Sequence, residues 1–490
     1  MAAAPVSRAN SRTINLIGLG IGIVSALVVL LASPNHGDPL VFLTIADPIA
    51  SGAIPYLEFP VEYPPVALLP LVLPRILVGV DAQPMAYEIV FGLMNLAVAV
   101  LAGAIVVWLA RRGWSAQSER ETLIVYLALA FALSVLVIFR FDILPALLSV
   151  AAVAAMAAGR SAWAGFALGL AVATKLYPAF LAPVLLGYYL FARRWTAAGF
   201  FVFGLVTTVA AVMLQAYLVA GPDSLSFLNY QRDRGVEIES VVGGLALLAD
   251  NMFGINARVS FGFGSFEVES PVVDALAAPA FVGELVLAIT LLGAGAVAFL
   301  RDVRSFGSVR PRTLIAYIVA TLLVAILTNK VLSPQYMCWL LPFAALLPRR
   351  QAFLLVVTFV LTVVVYPIAF DGLRAGAPAV VAILNVRNLL LLVLFAWLIL
   401  PRKERLAEPQ IVAMLETPPS SPAPMPNMSN PIASRRLRGA ITVMSKAANA
   451  TVRILASVRP VRPVSWASTT TTGFASAASP WRSTITRKEA

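Results

Sequence analysis

The sequence contains little cysteine, histidine or charge, and each scarcity excludes a class of protein. Cys338 is the only cysteine among the 490 residues, so an intramolecular disulfide is excluded. His36 is the only histidine, which excludes a metal site built from several histidines. Charged residues make up 12% of the chain and hydrophobic residues 60%, which is too apolar for a single water-soluble core. The composition therefore predicts a polytopic membrane protein.

The net charge of +12 is concentrated in the C-terminal tail and does not indicate a nucleic-acid partner. Residues 1–401 contain 23 basic and 20 acidic residues, whereas residues 402–490 contain 13 basic and 4 acidic residues. The tail is rich in serine, threonine, proline, alanine and arginine, a composition typical of disordered segments. We therefore expect a membrane domain over residues 1–401 and a basic, disordered cytoplasmic tail over residues 402–490.

Apolar runs bounded by charged residues predict an all-α fold with about twelve transmembrane helices. Several runs are shorter than the ~20 residues that cross a bilayer, so those beside Lys175 and Lys330 are expected to form broken helices. Segment 64–80 contains Arg75 and several prolines and is expected to lie at the membrane surface. The predicted spans are residues 14–32, 85–110, 121–138, 142–158, 162–174, 176–192, 196–220, 274–300, 313–329, 331–348, 351–370 and 380–400.

Arginines in short loops predict the orientation, because positive residues in such loops stay cytoplasmic. With the N-terminus in the cytoplasm, arginine pairs such as Arg111 with Arg112 and Arg193 with Arg194 all fall on that side. Both termini are then cytoplasmic. Two large loops, 33–84 and 221–273, and most of the acidic residues lie on the opposite side. The active site is therefore expected on the extracytoplasmic face.

Asp38 is the first candidate catalytic residue. It follows the first predicted span in NHGDPLVF, where a carboxylate is close to the membrane and still reachable by water. A general base must be ionised and within hydrogen-bonding reach of an incoming hydroxyl. Asp47 is a rival for this role. An alternative structural role for Asp38 is to cap a helix that starts at Pro39.

A proline-rich stretch in the same loop, GAIPYLEFPVEYPP, carries three candidate binding residues. Its four prolines stiffen the backbone that holds Glu58, Glu62 and Tyr63, and a stiff backbone lowers the entropic cost of holding a site. The stretch is therefore expected to hold a substrate. Alternatively, its prolines mark only a reversal of chain direction at the membrane surface.

Basic residues recur at the outer ends of the predicted helices. Arg140 and Asp142 lie in FRFDILP, Lys175 in ATKLYP and Lys330 in TNKVLSPQY. A cation among apolar helices needs an anionic partner, and a substrate phosphate fits that need. We expect Lys175 to bind such a phosphate, whereas for Arg140 an ion pair with Asp142 or Asp38 is equally expected.

The second large loop contains SFLNYQRDRGVEIESVVGG, in which charged residues alternate beside aromatic residues. Arg232, Arg234 and Glu239 are its candidate binding residues, because such a pattern suits contacts with sugar hydroxyls and phosphate. The same pattern is also typical of a solvated amphipathic helix.

Taken in order, these stretches resemble a known family. Together with the early Asp38, they resemble glycosyltransferase family 87 of the GT-C superfamily, the polyprenyl-phosphate-mannose-dependent mannosyltransferases of high-GC bacteria. The resemblance covers residues 14–400 and leaves the tail unmatched. It is carried by GAIPYLEFPVEYPP, FRFDILPALL, GFALGLAVATKLYPAFLAPVLL, YQRDRGVEIESVVGGL and KVLSPQYMCWLLP.

The resemblance implies a GT-C-like helix bundle that performs an inverting sugar transfer outside the bacterial plasma membrane. The donor would be a polyprenyl-phosphate sugar, mannose or arabinose, and the acceptor a lipid or glycan hydroxyl, with no nucleotide or metal required. Asp38 matches the family's early loop acid, and other matches are Glu62 and Tyr63 of its Glu-Tyr-Pro-Pro element and Lys175 and Tyr177 of its Lys-x-Tyr-Pro element.

In one place the chain departs from the family pattern. Some members are thought to use a histidine in a later outer loop, and here only Gln335 and Tyr336 stand nearby as polar substitutes. Two other functions remain open at this stage. A transporter or flippase of a lipid-linked sugar would show internal repeats and charge at the bilayer midplane, which this sequence lacks. A non-catalytic scaffold would tolerate loss of both Asp38 and Lys175.

Overall fold

The computed structural model describes residues 37–400, apart from the side chains of residues 37–38, 231–233 and 277–282. All of these residues belong to one compact unit. The predicted first span, His36 and the tail 402–490 lie outside the described residues, so the predictions made for them stay predictions.

The described residues form mainly helices joined by short turns. Helices α1 to α17 are Gly37–Ala50, Leu68–Val78, Pro84–Arg111, Glu119–Ala132, Ser134–Phe139, Ile143–Ala157, Ser161–Thr174, Ala182–Phe191, Trp195–Ala220, Ser226–Asp233, Val241–Phe253, Pro271–Phe306, Pro311–Leu327, Met337–Ala344, Arg349–Val363, Phe370–Arg374 and Pro378–Ile399. Short 3-10 turns occur at Pro65–Ala67, Tyr177–Leu181, Gly221–Leu225 and Pro334–Tyr336, and a π-helical turn at Val364–Ile368.

A two-stranded antiparallel sheet corrects the prediction of an all-α fold. Strands β1 (Arg258–Gly262) and β2 (Ser265–Glu269) form a hairpin within the second large loop. The two turn residues, Phe263 and Gly264, both have positive φ values, 47° and 71°. A two-residue hairpin turn of this kind suits the twist of the paired strands. The other described elements are helical, as predicted. The strands were not predicted because helices were assigned from long apolar runs, and these strands are only five residues each.

Within residues 37–400, five segments are long and apolar enough to cross a membrane, which makes the chain a multi-pass membrane protein. Seven further apolar helices among the described residues have only 10–17 residues, so the predicted number of about twelve crossings stays a prediction. The five segments are Pro84–Arg111, Trp195–Tyr230, Gly283–Phe306, Arg349–Ile368 and Pro378–Ile399.

The predicted helix breaks at Lys175 and Lys330 are confirmed. Helix α7 ends at Thr174, and the chain resumes as the 3-10 turn that contains Pro178. Helix α13 ends at Leu327, and the next helical turn starts at Pro334. Proline has no backbone N–H and cannot continue a regular helix from the preceding turn. Both breaks leave irregular backbone and a cation between apolar segments.

The core lies around α13 and α14. Every side chain of α14 is buried, and α13 is buried from Tyr317 through Leu327 without interruption. Helix α14 packs against α6, and α6 packs against both α3 and α7. This packing fixes the start of α6 beside the start of α14, where candidate site residues lie.

Helices α7 and α9 approach each other through glycines. A Cβ atom at Gly165 would lie 2.0 Å from the carbonyl oxygen of Phe201. A Cβ at Gly204 would lie 2.2 Å from the carbonyl oxygen of Ala162. Both distances are far below a van der Waals contact. Small residues at such spacings allow helix backbones to pack closely in membranes.

Gly165→Ala is expected to lower the free energy of unfolding by about 1–3 kcal/mol, because the added methyl group forces α7 and α9 apart. Gly199→Ala is the matched control, since a Cβ at that position in α9 meets no atom within 4 Å. Thermal unfolding of the two purified variants in detergent measures the change in stability that each substitution causes. Equal midpoints for Gly165→Ala and wild type would contradict the close approach of the two helices.

Segment 64–80 forms a short helix with one apolar exposed face. Helix α2 has 11 residues, too few to cross a bilayer. Leu69, Ile76 and Leu77 are exposed, whereas Arg75 is buried. The Arg75 guanidinium donates to the carbonyl oxygens of residues 80 and 82 and so closes the end of α2. The position of segment 64–80 at the membrane surface stays a prediction.

Candidate active site

A cavity of about 570 Å³ lies where the two helix breaks meet the two large loops. Its wall combines aromatic rings, cations and carboxylates from segments that are far apart in the sequence. Helix α1 contributes Val41 and Phe42, and the β1–β2 hairpin contributes Phe261 and Phe266. The predicted binding residues that line the cavity are Glu62, Tyr63, Arg140, Asp142, Lys175, Tyr177, Arg234, Glu239, Gln335 and Tyr336.

Two predicted binding residues lie elsewhere. Glu58 is exposed and does not line the cavity. The Lys330 Nζ donates to the carbonyl oxygen of Arg234, so this lysine supports the loop and lines a neighbouring cavity instead. The side chain of Arg232 lies outside the described residues.

An ion pair on an aromatic stack forms one wall of the cavity. The Lys175 Nζ lies 2.6 Å from Asp142 Oδ1, and the same oxygen accepts a 2.8 Å hydrogen bond from Trp339 Nε1. The Trp339 ring stacks between Tyr177 and Tyr336, with centroid distances of 3.8 and 3.9 Å. A phosphate was the expected partner of Lys175, and the structure pairs this lysine with Asp142 instead. A phosphate bound at Lys175 would therefore share the lysine with this carboxylate.

A second group of polar residues surrounds Glu237. Arg234 and Gln335 of this group were candidate binding residues, whereas Glu237 and Ser333 were not. The Glu237 Oε1 accepts a 2.7 Å hydrogen bond from the Ser333 hydroxyl, and the Glu237 backbone N–H donates to the carbonyl oxygen of Lys330. Burial raises the pKa of Glu237, although nearby Arg234 and Ser333 oppose the shift. Among the described residues, Glu237 Oε2, Arg234 Nε and Gln335 Oε1 are buried and have no hydrogen-bond partner. These three atoms can bind a polar ligand.

Glu239 fixes the second loop to α17. The buried Arg387 Nη2 donates to the Glu239 carbonyl oxygen at 3.0 Å and lies 3.4 Å from its Oε2. Burial raises the pKa of the Glu239 carboxyl to about 8, although Arg387 opposes the shift. The next residue, Ser240, caps α11 by accepting from the Gly243 N–H. Glu239 therefore positions the loop, besides lining the cavity.

Glu239→Gln is expected to keep the wild-type unfolding midpoint near neutral pH, because the raised pKa keeps the carboxyl protonated there. Glu239→Ala is expected to lower the free energy of unfolding by about 1–3 kcal/mol, since the buried guanidinium of Arg387 loses a hydrogen-bond partner. Thermal unfolding at pH 7 distinguishes the two variants. If Glu239→Gln destabilises the protein as much as Glu239→Ala, Arg387 requires a charged partner and the Glu239 carboxyl group is not protonated.

The end of the proline-rich stretch forms another part of the wall. Its expected role in holding a substrate stays a prediction. The Tyr63 ring packs edge-on against Phe42 and Phe141, at centroid distances of 6.4 and 5.2 Å. The Tyr56 hydroxyl donates to the carbonyl oxygen of Tyr63 and holds the stretch in place. Burial, followed by the carboxylate of Glu62, raises the pKa of Tyr63 well above its usual value. Tyr63 therefore stays a neutral hydroxyl group.

The two candidate bases occupy opposite ends of α1. Asp38 lies in the first turn of the helix, one turn before the cavity residue Phe42, and its side chain lies outside the described part of the chain. Asp47 lies in the last turn, where its Oδ1 is 2.6 Å from Arg75 Nε. Asp47 is thus part of an ion pair with Arg75. The catalytic role of Asp38 stays a prediction.

A comparison with protein families gives a match over a large part of the chain. The model of the family described as Glycosyltransferase family 87 matches residues 61–334, more than half of the chain. The matched region starts at the proline-rich stretch and ends in the 3-10 turn that follows Lys330, so it includes most of the cavity wall. No curated protein matches the chain. On the strength of this match, the chain belongs to glycosyltransferase family 87 and is a membrane glycosyltransferase.

Proposed function

We propose that the protein transfers mannose from a polyprenyl-phosphate donor to a hydroxyl group of a lipid or glycan acceptor. The transfer takes place at the extracytoplasmic face of a bacterial plasma membrane and inverts the anomeric configuration. One observation carries this proposal: the cavity combines three cations with unpartnered buried polar atoms and an aromatic wall. A donor with a phosphate, a sugar and an apolar chain needs all three kinds of contact.

The cations Arg140, Lys175 and Arg234 fit the phosphate of the donor. A polyprenyl phosphate is already ionised as it leaves, so the reaction requires stabilisation of its negative charge more than its protonation. Cations fixed in a partly water-excluded cavity stabilise developing charge strongly. The Arg234 Nε, which is buried and has no partner among the described residues, can donate a charge-assisted hydrogen bond to a phosphate oxygen.

The carboxylate and amide oxygens of the wall fit the sugar. Glu237 Oε2 and Gln335 Oε1 can each accept a hydrogen bond from a sugar hydroxyl. The backbone and Oε1 of Glu237 are held by Lys330 and Ser333, so its free oxygen has a fixed position. A fixed acceptor discriminates among sugar epimers, because the wrong epimer leaves a buried oxygen without a partner.

Asp38 acts as the general base in this proposal. The acceptor oxygen attacks the anomeric carbon from the face opposite the phosphate, and Asp38 takes the hydroxyl proton. The bond from the anomeric carbon to the phosphate oxygen breaks, and the phosphate keeps the electron pair. The position of Asp38 one helical turn before Phe42, which lines the cavity, supports this role.

Membranes that contain the protein and labelled polyprenyl-phosphate mannose test this function. Wild type is expected to transfer label to a new lipid or glycan product. Arg234→Gln should lower the rate by roughly ten- to a hundredfold, because it removes a charge-assisted hydrogen bond to the phosphate. Arg258→Gln is the control, since Arg258 is exposed on β1 and does not line the cavity.

Unchanged transfer by Arg234→Gln would remove this arginine from the phosphate site. Movement of the labelled donor across the membrane without any transferred label would overturn the proposal in favour of a lipid-linked sugar transporter.

A further inference from the structure

An open groove of about 670 Å³ lies at the ends of α3, α6 and α7, and it shares no residue with the cavity described above. Its floor consists of alanines of α6 and α7 and of the turn between them. Its rim carries two cations and three aromatic rings: Arg112, Arg160, Trp108, Trp163 and Phe166.

The groove lies at the far end of the α6–α7 hairpin from the Lys175–Asp142 ion pair. Asp142 immediately precedes α6, and Lys175 immediately follows α7. The groove instead surrounds the turn at the other end of the two helices, which includes Arg160. The 15 residues of α6 extend about 22 Å, most of the thickness of a bilayer core. The two sites therefore lie far apart along the hairpin.

The charge of the groove is positive, and no acidic side chain among the described residues compensates it. The Arg112 guanidinium stacks on the Trp108 ring at 4.1 Å. No acidic side chain lines the groove, and within residues 37–400 neither Arg112 nor Arg160 forms an ion pair. The neighbouring Arg111, by contrast, is paired with Glu119 at 2.6 Å. The two rim arginines are thus available to an external anion.

The apolar part of the groove determines which anion fits. Trp163 and Phe166 pack edge-on, at a centroid distance of 5.5 Å, and their side chains are 54% and 40% exposed. An inorganic phosphate would contact only the arginines and leave the alanine floor and these rings uncovered. A lipid phosphate with an attached acyl chain would contact both. Basic pockets between transmembrane helices are suited to anionic lipid headgroups, and tryptophan is enriched at the membrane interface.

We infer that the groove binds one anionic phospholipid, with its phosphate between Arg112 and Arg160 and one acyl chain on the alanine floor. The bound lipid joins the end of α3 to the α6–α7 turn. It thereby braces a hairpin whose opposite ends carry Asp142 and Lys175. This inference depends on the membrane location of the protein and not on the identity of the donor sugar.

Titration of the purified full-length protein with phosphatidylglycerol, followed by native mass spectrometry, tests the site. Wild type is expected to retain one phosphatidylglycerol in preference to phosphatidylcholine. The double variant Arg112→Gln/Arg160→Gln should bind it roughly thirtyfold more weakly, because each cation near an anionic lipid contributes roughly fivefold. The double variant Arg193→Gln/Arg194→Gln removes the same charge from a different turn and should bind as wild type does.

A second variant does not depend on charge. Trp163→Ala removes a side chain that is more than half exposed, so the fold is expected to remain intact while retention of the lipid decreases. Glycerol phosphate, which has the headgroup chemistry without the chains, should not compete with phosphatidylglycerol. Equal weakening in both double variants would indicate a general surface-charge effect and overturn the site. Unchanged retention in the rim variant, or full competition by glycerol phosphate, would overturn it as well.

Discussion

Asp38→Asn is expected to lower sugar transfer by about 10²–10⁴-fold without lowering the amount of folded protein in the membrane. The amide is nearly isosteric with the carboxylate but takes up no proton from the acceptor hydroxyl, and general base catalysis contributes about that factor. Donor binding should change little, because the proposed phosphate contacts come from cations on other segments. Transfer of label from polyprenyl-phosphate mannose in membranes measures the rate, and immunodetection measures the protein level.

Asp47→Asn is the matched control on the same helix. Asp47 pairs with the buried Arg75, so its loss should reduce stability while the remaining folded protein keeps its rate of transfer. Full activity of Asp38→Asn would rule out Asp38 as the general base. A loss of transfer confined to Asp47→Asn would assign that role to Asp47 instead.

Asp142→Asn is expected to lower the free energy of unfolding by about 3–5 kcal/mol, the usual cost of breaking a buried ion pair by removing one partner. The Asp142 side chain is 2% exposed and the Lys175 side chain 17%, so water does little to screen the charge left behind. The substitution also weakens the hydrogen bond from Trp339, which holds the aromatic stack in place. Chemical or thermal unfolding in detergent gives the change.

The double variant Asp142→Asn/Lys175→Met separates the charge from the packing. Because it removes both charges, the double variant should be more stable than Asp142→Asn alone. Its rate of sugar transfer should not exceed that of Asp142→Asn, since the cation proposed for the phosphate is lost. The exposed pair of Asp371 and Arg374 is the control, and Asp371→Asn should change stability by less than ~1 kcal/mol. Purely additive losses in the double variant would show that Lys175 and Asp142 do not interact.

Local features of the fold were accessible from the sequence. The predicted spans 142–158, 162–174 and 196–220 differ by at most one residue at either end from α6, α7 and α9. Apolar runs ended by charge define such helices well, and prolines mark the breaks after them. The predicted span 121–138, by contrast, is divided at Leu133 into α4 and α5. That division has no proline or charge to mark it.

The candidate site was predictable as a set of residues but not as a set of contacts. The charged residues at helix breaks and in the two large loops were found because charge in an apolar chain is conspicuous. Which charges meet was open, since the Lys175–Asp142 pair joins residues 33 positions apart and depends on how α6 packs against α7. The turn of Lys330 toward a backbone carbonyl likewise depends on the fold of the second loop.

Two residues of the site were not singled out from the sequence, for different reasons. Trp339 lies in an apolar run, where a tryptophan normally indicates a packed core, and only the stack with Tyr177 and Tyr336 reveals its place in the cavity wall. Glu237 stands in a charged stretch in which each acid looks alike. Its hydrogen bond from Ser333, 96 positions away, distinguishes it. The charge pattern indicated that this stretch of the second loop could bind a ligand, but it did not indicate that Glu237 would be the residue to do so.

The most direct test of the central claim compares two donors with the purified protein reconstituted in vesicles. Labelled polyprenyl-phosphate mannose and labelled nucleotide-activated mannose are each supplied with membrane lipid and glycan acceptors. The account predicts transfer from the polyprenyl-phosphate donor alone, with release of polyprenyl phosphate and loss of the reaction in Asp38→Asn. Transfer from the nucleotide-activated donor alone, or transfer that is indifferent to Asp38→Asn, would contradict it.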